Sequence, residues 1–278
     1  MAITNFIPTI WSENLYKSLD KKYVAVANCA REYEGEIKAM GDTVKICGVG
    51  DIIVDDYTKD TDMSRPQHLS DTCVSFRINR AKYFNFQIDD IDRAQATPKL
   101  MEAAMSNAAS SLANEADAYV LSLAHCATQS VRIDDPTPES VVDGILKART
   151  ILYEQNVLDN SEVVIEVSPA VASLIFKAKM TLATDNSNML ENGCIGTIFG
   201  CKVFVSNNVS VDTVDDKTEH KCLVRTKRSF AYAEQLSEIE AYRPEKRFAD
   251  AVKGLHLYGA NIIYENEVIL LDVAFPFE

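Results

Sequence analysis

No stretch of about 18 consecutive apolar residues occurs in the 278-residue chain, so it offers no membrane-spanning helix. The opening residues Met1-Ala2-Ile3-Thr4-Asn5-Phe6 lack the basic start and apolar core of a signal peptide, which argues against export. Positive charge is also short: 28 Lys and Arg stand against 41 Asp and Glu, a formal net charge of −13. Phosphate neutralisation needs surplus cations, so this balance argues against an autonomous nucleic-acid binder and favours solubility. Only four histidines are present, His68, His125, His220 and His256, and none lies in an H-E-x-x-H pattern. A G-x-S-x-G elbow and a P-loop are both missing. Gly193, Gly196 and Gly200 precede a strand pattern instead of the helix N-terminus that would hold phosphate.

The seven cysteines (Cys29, Cys47, Cys73, Cys126, Cys194, Cys201, Cys222) form no C-x-x-C pair and have no histidine at metal-ligand spacing. They are expected to be reduced small hydrophobes of a cytoplasmic product. Asp55-Asp56 and Asp89, Asp90 and Asp92 lack the register of a calcium loop and read as solvated faces and helix-end charge. With no catalytic, metal or cofactor constellation, the sequence predicts neither an enzyme nor a cofactor protein.

What is present is a string of differently patterned segments. Phe6, Ile7, Ile10 and the single Trp11 cluster around Pro8 before any regular pattern begins. Large apolar side chains at a chain end need something to pack on, either their own body or a neighbouring molecule, and the sequence leaves both open. Gly41-Asp42-Thr43 then opens an alternating strand with Val44 and Ile46, and a polar stretch over Asp51–Ser70 follows. Val74, Phe76 and Ile78 return as a second strand, and Phe84, Phe86 and Ile88 as a third. This predicts a long hairpin with a charged middle, an element that is marginal alone and must lie against something else.

Thr97-Pro98 predicts a helix start. An uninterrupted Ala-rich stripe of Leu100, Ala104, Ala108, Leu112, Ala116, Tyr119 and Leu123 extends it to about His125. Thr137-Pro138-Glu139 predicts a second helix with Val142, Ile145, Leu146 and Leu152 on one face. Ser168-Pro169 predicts a third, directly after the apolar strand Val163–Val167. Phe199, Cys201, Val203 and Val205 alternate, and strands dominate from Leu223 to Val273. His256 falls on the polar side of one of them and is expected at a surface or interface. Lys221, Arg225, Lys227 and Arg228, then Arg243, Lys246 and Arg247, form short basic clusters suited to salt links with another acidic subunit.

This order of parts resembles the major capsid (coat) proteins of tailed bacteriophages, whose Johnson fold is shared with encapsulin shells. The strings that carry the likeness include Asn5-Phe6-Ile7-Pro8-Thr9-Ile10-Trp11-Ser12, Tyr33-Glu34-Gly35-Glu36-Ile37 and Gly41-Asp42-Thr43-Val44-Lys45-Ile46. Asp56-Tyr57-Thr58, Ala81-Lys82-Tyr83-Phe84-Asn85-Phe86, Ala113-Asn114-Glu115-Ala116-Asp117 and Gly254-Leu255-His256-Leu257-Tyr258-Gly259-Ala260 complete the set.

The resemblance implies an α+β phage-capsid fold with an N-arm (1–40), an E-loop hairpin (41–88), a peripheral domain with the spine helix (89–138 and 209–278) and an axial domain (139–208). It implies a self-assembling structural protein of an icosahedral virion, made in the host bacterial cytoplasm and needing no cofactor. Its partners would be its own copies as pentamers and hexamers, a separate scaffolding protein, a portal, decoration proteins and packaged DNA bound without specificity, with no membrane. Met1 directly before the arm suggests that no scaffold segment is fused. The alternative is an encapsulin-like nanocompartment shell. Phe6, Ile7, Ile10, Trp11, Asp55, Asp56, Tyr57, Lys59, Arg65, Arg77, Arg243, Lys246 and Arg247 are the candidate subunit contacts.

Overall fold

The computed structural model describes residues 15, 18–19, 21–32, 41–49, 52–57, 59, 62, 65–68, 71–89, 100–157, 162–181, 194–214, 216–246 and 248–276. Strands β1 (Thr43–Val49) and β2 (Asp71–Arg77) pair antiparallel without a register break, from Thr43 opposite Arg77 to Val49 opposite Asp71. They form the stem of the predicted hairpin. β3 (Arg80–Asp89) leaves that ribbon and joins a second sheet in the order β10–β11–β3, where β10 is Phe230–Tyr242 and β11 Ala249–Ile262.

A larger mixed sheet contains β4 (Gln129–Asp134), β5 (Val163–Val167), β6 (Cys194–Ile198), β7 (Cys201–Val205), β8 (Val211–Val214), β9 (Lys217–Thr226) and β12 (Val268–Pro276). Its order is β4–β12–β9–β5–β7–β6, with β8 paired to β9. A boundary near 208/209 therefore does not coincide with a sheet boundary, because β9 and β12 hydrogen-bond into the sheet that holds β5 and β7. β9 runs into β10 through the single turn Lys227–Ser229, and β11 into β12 through Glu265–Glu267, so two short links join the sheets.

Helix α1 (Leu100–Ser122) is about 34 Å long at 1.5 Å per residue and continues as a 3₁₀ turn over Leu123–Cys126. Its buried stripe is Ala109, Leu112, Ala113, Ala116, Val120, Leu121 and Ala124. That stripe is rotated from the predicted one, so Ala104, Ala108, Tyr119 and Leu123 are only half-buried. The cause is a two-sided environment. Tyr119 stacks edge-on against Tyr258 of β11 at 5.6 Å between ring centroids. On the other side, the Asp117 carboxylate receives the backbone N–H groups of Val24, Ala25 and Val26 at 2.9–3.0 Å.

Helix α2 (Pro138–Glu154) starts as predicted, with Pro138 in its first turn and a reciprocal cap between Thr137 and Ser140. Its inward face is Val141, Gly144, Ile145, Ala148 and Leu152, whereas Leu146 faces outward and Val142 is half-buried. Glycine stands at 144 because the helix lies close on the sheet there, where a Cβ would collide with Ile133 Cδ1. Helix α3 (Pro169–Thr181) follows β5 directly. Phe199 and Gly200 both take positive φ and form the β6–β7 turn, so Gly200 serves a hairpin. Cys194, Cys201 and Cys222 are buried, but Cys73 and Cys126 are exposed, contrary to the small-hydrophobe reading of all seven.

Candidate assembly surface

The hairpin stem is fastened to the body at its base. Val44, Phe76 and Ile78 form a small core with Ala231, Ala233 and Leu257, against the sheet face that β10 and β11 turn away from α1. Gly41 N–H donates to the carbonyl of Ile78 at 2.9 Å, and Ile78 N–H to that of Asp42 at 3.0 Å, which closes the base. β11 can approach this point because position 259 is glycine. A Cβ there would stand 2.7 Å from the Arg77 carbonyl oxygen and 3.1 Å from Ile78 Cδ1.

Beyond the stem, residues 52–57 are exposed throughout, and no strand is formed among the described residues there. Ile52, Ile53, Val54 and Tyr57 leave 67%, 70%, 91% and 75% of their surfaces in water. These four side chains form an exposed apolar patch with no cover among the described residues. Ile53 N–H donates to Gln67 Oε1 at 2.9 Å, so the two arms of this extension touch. Asp55, Asp56, Lys59 and Arg65 are exposed on the same extension. The apolar triplet was hidden in the sequence by the aspartates that follow it, although Ile52-Ile53-Val54 directly after an alternating strand was a usable signal.

A second exposed region lies at the β10–β11 end of the three-stranded sheet. Ten residues of β11 separate Ala249 from Gly259, about 33 Å of extended strand, so this end lies far from the hairpin base. Phe248 is 84% exposed there, beside exposed Lys246. Arg243 is exposed and 3.5 Å from Asp250 of its own chain. Arg77 is also exposed, and its Nε donates to the Gly41 carbonyl at 3.3 Å, so it helps close the hairpin base. Phe6, Ile7, Ile10, Trp11 and Arg247 lie outside the described residues.

Residues 21–32 are pinned to the body. Lys22 Nζ reaches the Ser106 carbonyl, Ser106 Oγ and Ser110 Oγ on α1. Burial pushes the Asp117 carboxyl up to about 6, against the three N–H groups that it accepts. Arg225 is fully buried. It makes a forked pair with Glu166 (3.0 and 2.8 Å), donates to the Asn28 and Ala25 carbonyls (2.7 and 3.2 Å), and lies over the Phe230 ring at 4.4 Å.

Of the basic cluster around it, Lys221 is buried as well, whereas Lys227 is half-buried and Arg228 exposed. Lys221 pairs with Glu219 and Asp272 in the interior and is not available to an acidic subunit, whereas the exposed Arg228 pairs with Glu267 at the surface. His256 corrects a second expectation. It is buried, with Nε2 2.9 Å from Glu234, which also receives the hydroxyls of Tyr232 (2.9 Å) and Tyr23 and a 2.6 Å contact from Arg31. The reason is that β11 is covered on both faces, by α1 and by the hairpin base, so alternation no longer marks a wet side. Burial works to raise the Glu234 carboxyl, but His256, Tyr23 and Arg31 together hold it below its ordinary range.

Among the described residues, no group of three or more His, Cys, Asp and Glu side chains could hold a metal ion, and no helix is long and apolar enough to cross a membrane.

No family model and no curated protein matches the chain. Solved structures do. One from Mycobacterium phage Che8 is 27% identical, covering 97% of this chain and 98% of that one at a TM-score of 0.69. The capsid of Ralstonia phage GP4 is 12% identical over 94% and 91% at 0.68. The holo-SrpI encapsulin complex from Synechococcus elongatus is 12% identical over 85% and 83% at 0.58. The resemblance read from the sequence strings is thus met in three dimensions along nearly the whole chain, and the fold is the mixed α+β fold of phage capsid proteins.

Proposed function

We propose that the protein is the major capsid protein of a tailed phage, many copies of which close into an icosahedral head shell around double-stranded DNA. The observation that carries this is the outstretched hairpin, anchored at its base and offering Ile52, Ile53, Val54 and Tyr57 to solvent with no cover from its own chain among the described residues. A neighbouring copy would supply that cover, and many modest contacts of this kind close a shell far more durable than any one of them. The near full-length likeness to the Che8 structure, at higher identity than the encapsulin, supports the phage reading over the encapsulin one. The protein acts as a structural subunit and carries out no chemistry.

In domain terms, residues 41–88 form the E-loop with its return strand, and the chain before 41 the N-arm. Helix α1 with β10 and β11 forms the peripheral domain, to whose sheet the return strand β3 hydrogen-bonds. The larger sheet with α2 and α3 forms the axial domain, which moves β8, β9 and β12 from the peripheral to the axial side relative to a boundary at 208/209. Asp55, Asp56, Lys59, Arg65 and Lys246 remain exposed candidates for polar contacts at the rims of these interfaces. Scaffold, portal and decoration proteins are further partners of this reading.

The test is electron microscopy of the overexpressed full chain beside a variant lacking residues 51–70. Closed shells from the first and folded, non-assembling subunits from the second are expected. Normal shells from the deletion, or only small dispersed oligomers from the full chain, would overturn the reading. Empty wild-type particles in cells with a protein cargo seated on their inner wall would favour the encapsulin alternative.

A further inference from the structure

Four donors converge on one sealed carboxylate, Glu234, whose side chain is 1% exposed. Its Oε2 receives the hydroxyls of Tyr23 and Tyr232 and the Nε2–H of His256, and its Oε1 receives Arg31 at 2.6 Å. An ionised carboxylate only accepts, so this bond assigns the neutral imidazole its proton on Nε2. Nδ1 is then a bare lone pair, buried and without a hydrogen-bond partner among the described residues. Burial opposes ionisation of Glu234, yet His256, Tyr23 and Arg31 hold its carboxyl below the ordinary range, so mild acid leaves it charged. One negative charge thus faces one positive charge, and the closed cluster is balanced while His256 stays neutral.

A second proton on His256 breaks that balance twice. It adds a positive charge beside Arg31 in a sealed site, and it turns Nδ1 into an N–H donor with no acceptor. The surrounding charges give no relief. On β3, Lys82 stands opposite His256 in the register and is paired with Glu115 of α1, and Arg80 lies over the Tyr119 ring at 4.8 Å. On β11, the Tyr258 ring lies 4.9 Å from the imidazole. On α1, Asp117 is occupied by the N–H groups of Val24, Ala25 and Val26. Arg31 is the member of the cluster closest to water, with 27% of its side chain exposed, whereas Tyr23, Tyr232 and His256 are buried. It stands at the end of the pinned segment 21–32. Beside it, Ala30 N–H donates to the Phe230 carbonyl at 2.8 Å and Tyr232 N–H to the Ala30 carbonyl at 3.0 Å.

We propose that this cluster is a proton-operated latch on the end of segment 21–32: protonation of His256 displaces Arg31 from Glu234, the imidazolium becomes the counter-charge, and residues 30–32 lift from β10. Only the open form takes the second proton without orphaning an N–H, so the proton binds that form more tightly and acid favours opening. Imidazole is the side chain whose ordinary titration falls between pH 5 and 8. Asp117 acts in the opposite sense further along the same segment. Burial raises its carboxyl to about 6, so acid strengthens the hold on residues 24–26 while it loosens residue 30. The latch belongs to the single subunit and does not rest on the assembly reading.

Hydrogen exchange of the dissociated full-length subunit at pH 7.5 and 5.5, corrected for intrinsic rates and resolved to single amides, tests it. With an ordinary solvated imidazole near 6.5, exclusion of the proton from the closed form makes opening about tenfold more favourable at the lower pH. Ala30 should therefore lose about tenfold in protection, while Val26 loses none. H256Q keeps an N–H for Glu234 and cannot titrate, so its Ala30 should not respond to pH. R31Q should leave Ala30 open at both pH values, and D117N should keep the wild-type response there. Equal protection of Ala30 at the two pH values in wild type would overturn the proposal, and so would a response that survives in H256Q. Loss of protection at Val26 and Ala30 in step would overturn it too, because that is unfolding of the whole segment. Circular dichroism melting shows whether each variant folds, and if H256Q does not, the wild-type contrast between Ala30 and Val26 decides.

Discussion

Replacing Ile52, Ile53, Val54 and Tyr57 together by serine separates folding from assembly. These side chains stand mostly in water, so the folded subunit loses little by their removal, about 0.5 kcal/mol or less at each site. The Ile53–Gln67 link uses a backbone N–H and survives the change. Full burial of an aliphatic or aromatic side chain of this size is worth about 1.5–3 kcal/mol. If a neighbouring copy covers roughly half of each, about 1 kcal/mol per residue is lost, or about 4 kcal/mol per hairpin contact, which weakens pairwise association on the order of a thousandfold. Sedimentation velocity across a concentration series should show the assembly threshold rising steeply or shells disappearing. Calorimetric melting of the dissociated subunit should stay close to wild type. A threshold that moves less than tenfold, or a melting temperature that falls in step with assembly, would refute the reasoning.

Arg225→Met strands the buried Glu166 and removes the guanidinium that donates to the Asn28 carbonyl, and should cost about 3–5 kcal/mol in urea unfolding. Adding Glu166→Leu should recover part of that, and no recovery would show that the pair is not the dominant loss. Asp117 gives a pH signature. Its carboxyl is raised from 3.8 to about 6 in the folded protein. The folded state therefore holds this proton more tightly, and the contribution is complete below about pH 3.8 and lost as pH rises through about 6. The wild-type minus Asp117→Asn difference in unfolding free energy should fall by up to about 3 kcal/mol across that window, and a flat difference would refute the assignment. Gly259→Ala drives a methyl into the Arg77 carbonyl and should cost about 1–3 kcal/mol while loosening the hairpin base, read as faster amide exchange at Ile78. Trp11→Ala should reduce particle yield more than it lowers subunit melting; equal losses would place this side chain in the subunit's own core.

Buried alternation and helix starts were readable because local chemistry fixes them. Thr137-Pro138 and Ser168-Pro169 each open a helix where the sequence places it, and Val163–Val167 is a fully buried strand. Which face turns inward was less readable. Leu146 points outward although it is large and apolar, and Gly144 points inward, because the distance between α2 and its sheet selects size over hydrophobicity. The charged residues misled most. Arg225, Lys221 and Glu234 look like surface charge in one dimension, yet each is satisfied by partners far away in sequence or across a strand.

The order of segments, the polar extension between two strands and the family strings were enough to determine a capsid-type fold and the absence of any recognisable catalytic motif. They rest on short-range periodicity, turn chemistry and composition, which are properties of neighbouring residues. Only the tertiary structure decided that β9 and β12 belong with β5, that His256 is sealed beside Glu234, and that the hairpin base closes against β11 at Gly259. These are pairings across long loops. Closing such a loop costs only slightly more as it lengthens, so local sequence carries almost no record of which distant strand will be its partner.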